Sequence, residues 1–182
     1  MLTLQESFFY TPKGRQKEAE VARKGLSQPQ SDHLTLLMVW NKWVDSGYSS
    51  SWAQENYIQN KSLRRARDVR AQLERLVENA GMEMSSSEDE GAILKSLLSG
   101  FFLHVAVRGR EGNIYRTIRN NVTVYIHPSS ALFGEKPDYV LYHELLLTSK
   151  EYMRCISELQ TEWLHQVAPE FFSKYIVANK PH

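Results

Sequence analysis

Between Asp32 and Phe102, apolar residues recur at three- and four-residue steps, which is the spacing of a helix face. The longest such stretch covers residues 63–80 and ends at Gly81, a residue suited to terminating a helix. Residues 32–44 are apolar on two faces, so we expect a helix there that is buried nearly all round. Ser31 or Asp32 can cap that helix. The pattern therefore predicts a helical bundle.

Three weaker helical segments accompany these two. Residues 17–24 have room for about two turns within a polar first thirty residues, which we expect to be exposed or only partly ordered. Residues 52–59 predict a short helix. Residues 93–102 predict another, and Ser87 with Glu90 has the spacing of a capping box before it.

After about Leu103 the period of the apolar residues changes from helical to strand-like. Short β-rich runs occur at residues 105–108, 115–118, 122–126, 139–147 and 152–156, and turn-forming residues separate the first three at 110–113 and 120–121. Five short strands are too few for a sandwich but suit a small, partly open barrel of the oligonucleotide-binding type. A last amphipathic segment carries Trp163 before Pro169.

The predicted fold class is therefore α+β, with an N-terminal helical bundle followed by a five-stranded barrel. The predicted domain bounds are a polar, partly ordered segment at 1–30, a helical domain at 31–102, a barrel at 103–175 and a tail at 176–182.

Composition adds little to this picture, but the distribution of charge adds more. The 182 residues are 42% hydrophobic and 24% charged, as is usual for globular proteins, and one cysteine leaves no intramolecular disulfide. The formal net charge of +1 predicts no partner by itself. However, residues 61–75 hold six basic side chains against two acidic ones, and residues 108–119 hold four arginines against one acid. Two basic islands on a neutral chain indicate local phosphate contacts.

Motifs that carry catalytic chemistry are missing from the sequence. No G-x-x-x-x-G-K-[ST] loop is present to hold nucleotide phosphates, and no G-x-S-x-G elbow presents a nucleophilic serine. His143 and Glu144 begin like a zinc-protease helix, but Leu147 stands where the second histidine is needed. We therefore expect no catalytic residue and no metal site in this chain, and no hydrolysis of ATP by the chain alone.

Four sequence stretches together resemble one family. They are residues 31–37 (SDHLTLL) with Trp40 and Trp43 after them, residues 52–58 (WAQENYI) with 62–70 (SLRRARDVR), residues 126–132 (IHPSSAL), and residues 142–154 (YHELLLTSKEYMR). In this order and spacing they are similar to the C-terminal region of DEAH-box RNA helicases, especially the spliceosomal group, from about residue 8 to residue 172. Ser31 and Ala53 replace the glycine and cysteine that are usual in that family.

The resemblance implies a helical ratchet domain followed by an OB-fold. In a complete enzyme two RecA-like domains and a winged helix precede them, and the RecA-like domains hold ATP and Mg. We therefore expect this chain to be a segment of a nuclear, ATP-dependent RNA helicase of pre-mRNA splicing. The partners implied are single-stranded RNA, the RecA-like domains of the same protein and a G-patch activator protein; we expect no membrane partner and no cofactor in this segment.

Candidate RNA-binding residues fall in three places. Thr148, Ser149 and Lys150 form a polar loop between apolar runs, where a hydroxyl and an ammonium can hold a phosphate without identifying a base. The other candidates are His127, Ser129, Ser130, Arg64 and Arg65. The serine-containing turn either forms local hydrogen bonds or, as the resemblance implies, lies on the RNA side of the barrel. The arginines either form a solvated helix face paired with nearby acids or contact RNA.

Two hypotheses of different class remain. The first is an accessory module of an ATP-driven RNA motor, which binds single-stranded RNA and an activator. The second is a stand-alone OB-type single-stranded RNA-binding protein with a helical extension. A longer parent chain with a nucleotide-binding lysine would decide between them.

Overall fold

Helices precede strands along the chain, as the change in hydrophobic period predicts. A computed structural model describes residues 7–110 and 113–176. Its elements are α1 (Gln16–Leu26), α2 (Asp32–Asp45), α3 (Ser50–Glu55), α4 (Asn60–Asn79), α5 (Glu90–Phe101), β1 (Val105–Arg108), β2 (Tyr115–Thr117), β3 (Thr123–Ile126), β4 (Tyr139–Leu147), β5 (Glu151–Leu159), α6 (Thr161–Val167) and α7 (Pro169–Ile176). Glu111 and Gly112 of one predicted turn, and most of the predicted tail, lie outside the described residues.

The five strands close into a barrel in the order β1-β2-β3-β5-β4. Neighbouring strands are antiparallel except β3 and β5, which run parallel and pair Tyr125 with Tyr152 and Ile126 with Met153. The α+β fold with helices before a five-stranded barrel is thus confirmed.

The chain divides into two compact units. The first comprises residues 1–27 and 35–86, and the second comprises residues 28–34 and 87–182. The predicted boundary between residues 102 and 103 lies where the helices end and the strands begin. That this position separates two domains stays a prediction. α5 is grouped with the barrel in the second unit.

The core of the first unit forms around Trp43, which is fully buried. Its ring makes edge contacts with Trp40 at 5.7 Å and with Tyr48 at 4.9 Å between centroids. Phe8 and Leu26, from the polar first thirty residues, are also buried in this core, so that segment contributes more than its composition indicates.

Only the first third of α4 is buried in the first unit. Its buried side chains are Ser62, Leu63 and Ala66, whereas Leu73 and Leu76 on the same periodic stretch are exposed. The buried part of this helix is therefore shorter than its apolar period indicates, since the described residues of the first unit leave Leu73 and Leu76 in its C-terminal half exposed.

In the second unit, alternate residues of β1 and β4 enter two different cores. Val105, Val107 and Leu141 pack in a cluster with residues of α5, α6 and α7. Ala106 and Val140 pack in the other cluster, which draws on all five strands. Both faces of these strands are covered, which explains why β4 begins as a continuous apolar run.

The predicted capping box before α5 is wrong. Asp89 is the N-cap residue, and its carboxylate accepts hydrogen bonds from the backbone N–H groups of Gly91 (2.8 Å) and Ala92 (3.3 Å). Ser87 instead accepts from the N–H of Asp89 at 3.1 Å, because it stands two residues before the N-cap position.

Candidate nucleic-acid interface

Two of the predicted polar segments flank the parallel strands β3 and β5, one directly after β3 and the other directly before β5. The His127 N–H, directly after β3, donates to the Met153 carbonyl at 3.1 Å. Thr148, Ser149 and Lys150 form the turn between β4 and β5, which is closed by a hydrogen bond from the Thr148 N–H to the Lys150 carbonyl (3.0 Å). Six of the eight candidate residues, all except Arg64 and Arg65, therefore belong to loops that join or follow barrel strands.

The Lys150 ammonium lies above an aromatic ring. Its Nζ is 4.3 Å from the centroid of the Tyr125 ring, and the side chain is exposed. Within residues 7–110 and 113–176 no carboxylate forms an ion pair with it. The cation–π contact directs the charge over the barrel surface without neutralising it, so the ammonium stays able to contact an anion.

Three rings continue from Lys150 across β3 and β5. Tyr125 and Tyr152 have centroids 6.1 Å apart, and Tyr152 and His127 make an edge contact at 5.6 Å. We call Tyr125, Tyr152 and His127 the aromatic row. It links the two loops that carry the polar candidates, since Lys150 contacts one end of it and His127 forms the other.

Tyr125 and Tyr152 are not among the site residues predicted from the sequence. A signal for Tyr125 was present, because Val124 and Ile126 on either side of it are buried in the barrel and strand alternation places Tyr125 on the opposite face. The neighbourhood of Tyr152 depends on the pairing of β3 with β5, which no local pattern indicates.

The loop after β3 is organised by its own polar groups. Nδ1 of His127 accepts a hydrogen bond from the Ser129 N–H (3.1 Å) and lies 2.8 Å from the Ser129 hydroxyl. The Ser130 hydroxyl accepts from the Leu132 N–H at 3.1 Å. The local hydrogen-bonding interpretation of this turn is therefore confirmed, while contact with RNA stays a prediction.

Asp32, the first residue of α2, fixes the same loop. One of its carboxylate oxygens accepts from the Ala131 N–H at 2.8 Å, and the other accepts from the Ile156 N–H at 3.0 Å. The cap of α2 is Ser31, whose hydroxyl accepts from the Leu34 N–H at 3.0 Å. Of the two caps predicted for this helix the structure uses Ser31, and Asp32 joins the loop to β5.

A buried polar cluster completes this attachment. The Ser157 hydroxyl lies 2.5 Å from that of Ser31 and 2.7 Å from Nδ1 of His33. Burial, with a smaller effect from the charge of His143, lowers the pKa of His33 to about 4. The imidazole is therefore neutral at pH 7, and because Ser157 is fully buried this serine–histidine pair is a structural contact rather than a nucleophile.

Arg64 and Arg65 lie on α4 in the first unit. Arg64 Nη2 is 3.4 Å from the Ser50 hydroxyl, and Arg65 is exposed. On the same helix Arg70 pairs with Glu74 at 2.8 Å, which supports the solvated-face interpretation for that arginine. RNA contact by Arg64 and Arg65 stays a prediction.

The described residues form neither a membrane-spanning helix nor a cluster of metal ligands. No helix in this part of the chain has the length and apolar character needed to cross a bilayer. Nor do three or more metal-ligating side chains come together there.

Comparison with known proteins gives two findings. Residues 93–171 match the family model described as an oligonucleotide/oligosaccharide-binding (OB)-fold. Over 170 residues the chain is 44% identical to the pre-mRNA-splicing factor ATP-dependent RNA helicase prp22 of Schizosaccharomyces pombe, and the matched segment is 93% of this chain but only 14% of that relative. The chain is therefore homologous to the C-terminal region of spliceosomal DEAH-box RNA helicases, and its residues 93–171 belong to the OB-fold family.

Proposed function

We propose that this chain is the RNA-gripping and partner-docking C-terminal module of an ATP-dependent DEAH-box helicase that remodels the spliceosome in the nucleus. Support comes from the OB-fold match and from the identity to a helicase whose name states pre-mRNA splicing and ATP dependence. The matched segment is 14% of that relative, so ATP and Mg would be bound elsewhere in a longer protein.

One observation carries the RNA-binding part of the proposal. The Lys150 ammonium, in the turn before β5, and the His127–Ser130 loop, which follows β3, lie at the two ends of the aromatic row. An ammonium and hydroxyls contact phosphate oxygens without distinguishing bases. A motor that moves along RNA needs such sequence-independent contacts, because every register of the strand must fit.

The docking part rests on the exposed apolar side chains at the C-terminal end of the first unit. Leu73, Leu76, Met82 and Met84 are each about half exposed or more. We propose that these exposed side chains belong to a surface that another domain or protein covers. In this proposal the surface meets other domains of the parent helicase, and a G-patch activator binds the assembled enzyme.

Lys150→Ala in the 182-residue chain tests the RNA-binding part. We expect weaker binding of labelled single-stranded RNA by on the order of 1 kcal/mol, about fivefold, measured by fluorescence anisotropy. The slope of log K against log salt should fall by about 0.7, because one phosphate contact is lost.

The matched control is Lys42→Ala, which removes an equal charge from an exposed position on α2 in the first unit. Equal losses of RNA affinity in the two variants would mean that Lys150 acts only through the net charge of the chain. A loss confined to particular RNA sequences would show that Lys150 identifies bases, contrary to the proposal.

The stand-alone hypothesis has a separate test. The intact mass of the native protein in cell extract should far exceed the 21.1 kDa of this chain. A native mass equal to that of the chain would favour an independent OB-type RNA-binding protein.

A further inference from the structure

We propose that an acidic cleft in the second unit binds an arginine-containing segment of a partner protein. The cleft lies between the residues that precede α2, the start of α5 and the junction of β5 with α6, and its volume is about 860 Å³. Every lining residue belongs to the second unit, and none of the candidate RNA-binding residues is among them. The volume lies near the upper end of the range for small-molecule sites, so several residues of a peptide can enter.

Backbone contacts hold the walls of the cleft in place. The Glu158 N–H donates to the Gln30 carbonyl at 3.0 Å, which attaches the residues before α2 to the end of β5. On the opposite wall, a Cβ atom added to Gly91 would stand only 3.4 Å from the Trp163 ring, so the starts of α5 and α6 are in close contact. A cleft that is formed in advance takes up a ligand at a small cost in ordering.

Part of the cleft lining is apolar. Leu34, Leu94 and Leu159 line it and are buried, and the half-buried Trp163 adds an indole ring. Such a lining suits the aliphatic stem of a long basic side chain, whose charged end stays at the rim. The indole also attracts a guanidinium placed over its face.

The charge around this apolar lining is mostly negative. One ammonium, that of Lys95, faces five carboxylates, which belong to Asp89, Glu90, Asp138, Glu158 and Glu162. Asp89 caps α5 and Asp138 pairs with Arg108. The other three carboxylates form no ion pair with any residue in the described part of the chain. They are therefore available to cations from another molecule.

A chain with several separated positive charges complements this cleft. The carboxylates come from α5, from the residue before β4, and from the β5–α6 junction, so they surround the apolar lining from different sides. They would repel the phosphates of RNA. Arginine fits better than lysine, because its planar guanidinium can pair with a carboxylate and also stack on Trp163.

The experiment titrates the 182-residue chain into a fluorescent octapeptide in which arginine and leucine alternate, and follows anisotropy. We expect saturable binding by the wild type. Glu158→Gln combined with Glu162→Gln should weaken binding about tenfold, because two partly exposed ion pairs are lost. Lys95→Gln removes the opposing charge and should instead tighten binding about threefold.

Glu18→Gln combined with Glu55→Gln is the matched control. It removes the same charge from exposed positions of the first unit, and the peptide should bind it as it binds the wild type. Thermal unfolding of each variant checks that the fold is intact. An equal loss of peptide affinity in the control would assign binding to the net charge of the chain and overturn the proposal.

Two further outcomes would also overturn the peptide site. The first is the absence of saturable binding by the wild type. The second is equally effective competition by a polyamine of the same charge, which has no apolar side chains to cover the lining. The proposed function is tested separately, because the cleft variants should bind single-stranded RNA at least as tightly as the wild type does.

Discussion

Asp32 shows how a single side chain takes a role that local sequence does not indicate. Its position before an apolar periodic stretch predicts a helix cap, yet its carboxylate accepts hydrogen bonds from residues 99 and 124 positions away. The cap is the neighbouring Ser31. The role of Asp32 depends on the backbone N–H groups of Ala131 and Ile156, which are distant in sequence. The sequence around Asp32 does not show that these groups lie close to it.

Asp32→Ala should lower the free energy of unfolding by about 2 kcal/mol, because two backbone N–H groups lose a charged acceptor. It should also loosen the loop that carries Ser129 and Ser130. Chemical denaturation measures the first effect and amide hydrogen exchange at Ala131 the second. Asp45→Ala, at an exposed position on the same helix, should change stability little; a matching loss there would contradict the account.

His33 predicts a pH dependence of stability. Its pKa is about 4 in the folded chain and near 6.5 when unfolded, so the unfolded state binds more protons between these values. Stability is therefore complete above pH 6.5 and falls as the pH is lowered towards 4, by about 3 kcal/mol. Denaturation across this range should show the fall, and His33→Asn should flatten it. If the free energy of unfolding falls with pH as steeply in His33→Asn as in the wild type, groups other than His33 cause the fall.

At the scale of elements, the sequence predicts the strands more accurately than it predicts the candidate site. The bounds predicted for β1 and β4 agree with the structure, because apolar runs and turn-forming residues indicate the same ends. The position of the Thr148–Lys150 turn is predicted as well, because the turn begins directly after β4. The aromatic row was not predictable, since it forms only when β3 and β5 pair in parallel across a separation of more than twenty residues.

The start of α5 gives a prediction at this scale. Asp89→Ala should destabilise the second unit by about 1 kcal/mol, because the first turn loses its side-chain cap. Ser87→Ala should cost only a few tenths of that, since Ser87 bonds outside the helix. Chemical denaturation of both variants measures these losses in the free energy of unfolding. A larger loss of stability in Ser87→Ala than in Asp89→Ala would instead support the capping box that the spacing of Ser87 and Glu90 predicts.

At the scale of the whole molecule, the chain contains two compact units whose chemistry differs. The first has a helix with exposed apolar side chains in its C-terminal half, such as Leu73 and Leu76, and the second presents a polar and aromatic surface on a barrel. This division is the basis of the proposed function, in which one unit contacts other protein and the other contacts RNA. The match to a splicing helicase covers 93% of the chain and therefore includes residues of both units.

The most direct test of the account is to map RNA on the chain by nuclear magnetic resonance. The isotope-labelled protein is titrated with single-stranded RNA of mixed sequence, and amide and aromatic shifts are followed. We expect the largest changes at residues 123–130 and 148–153, in the loops and aromatic row of the barrel. Changes confined to α4, or equal changes spread over both units, would contradict the claim that the barrel surface grips RNA.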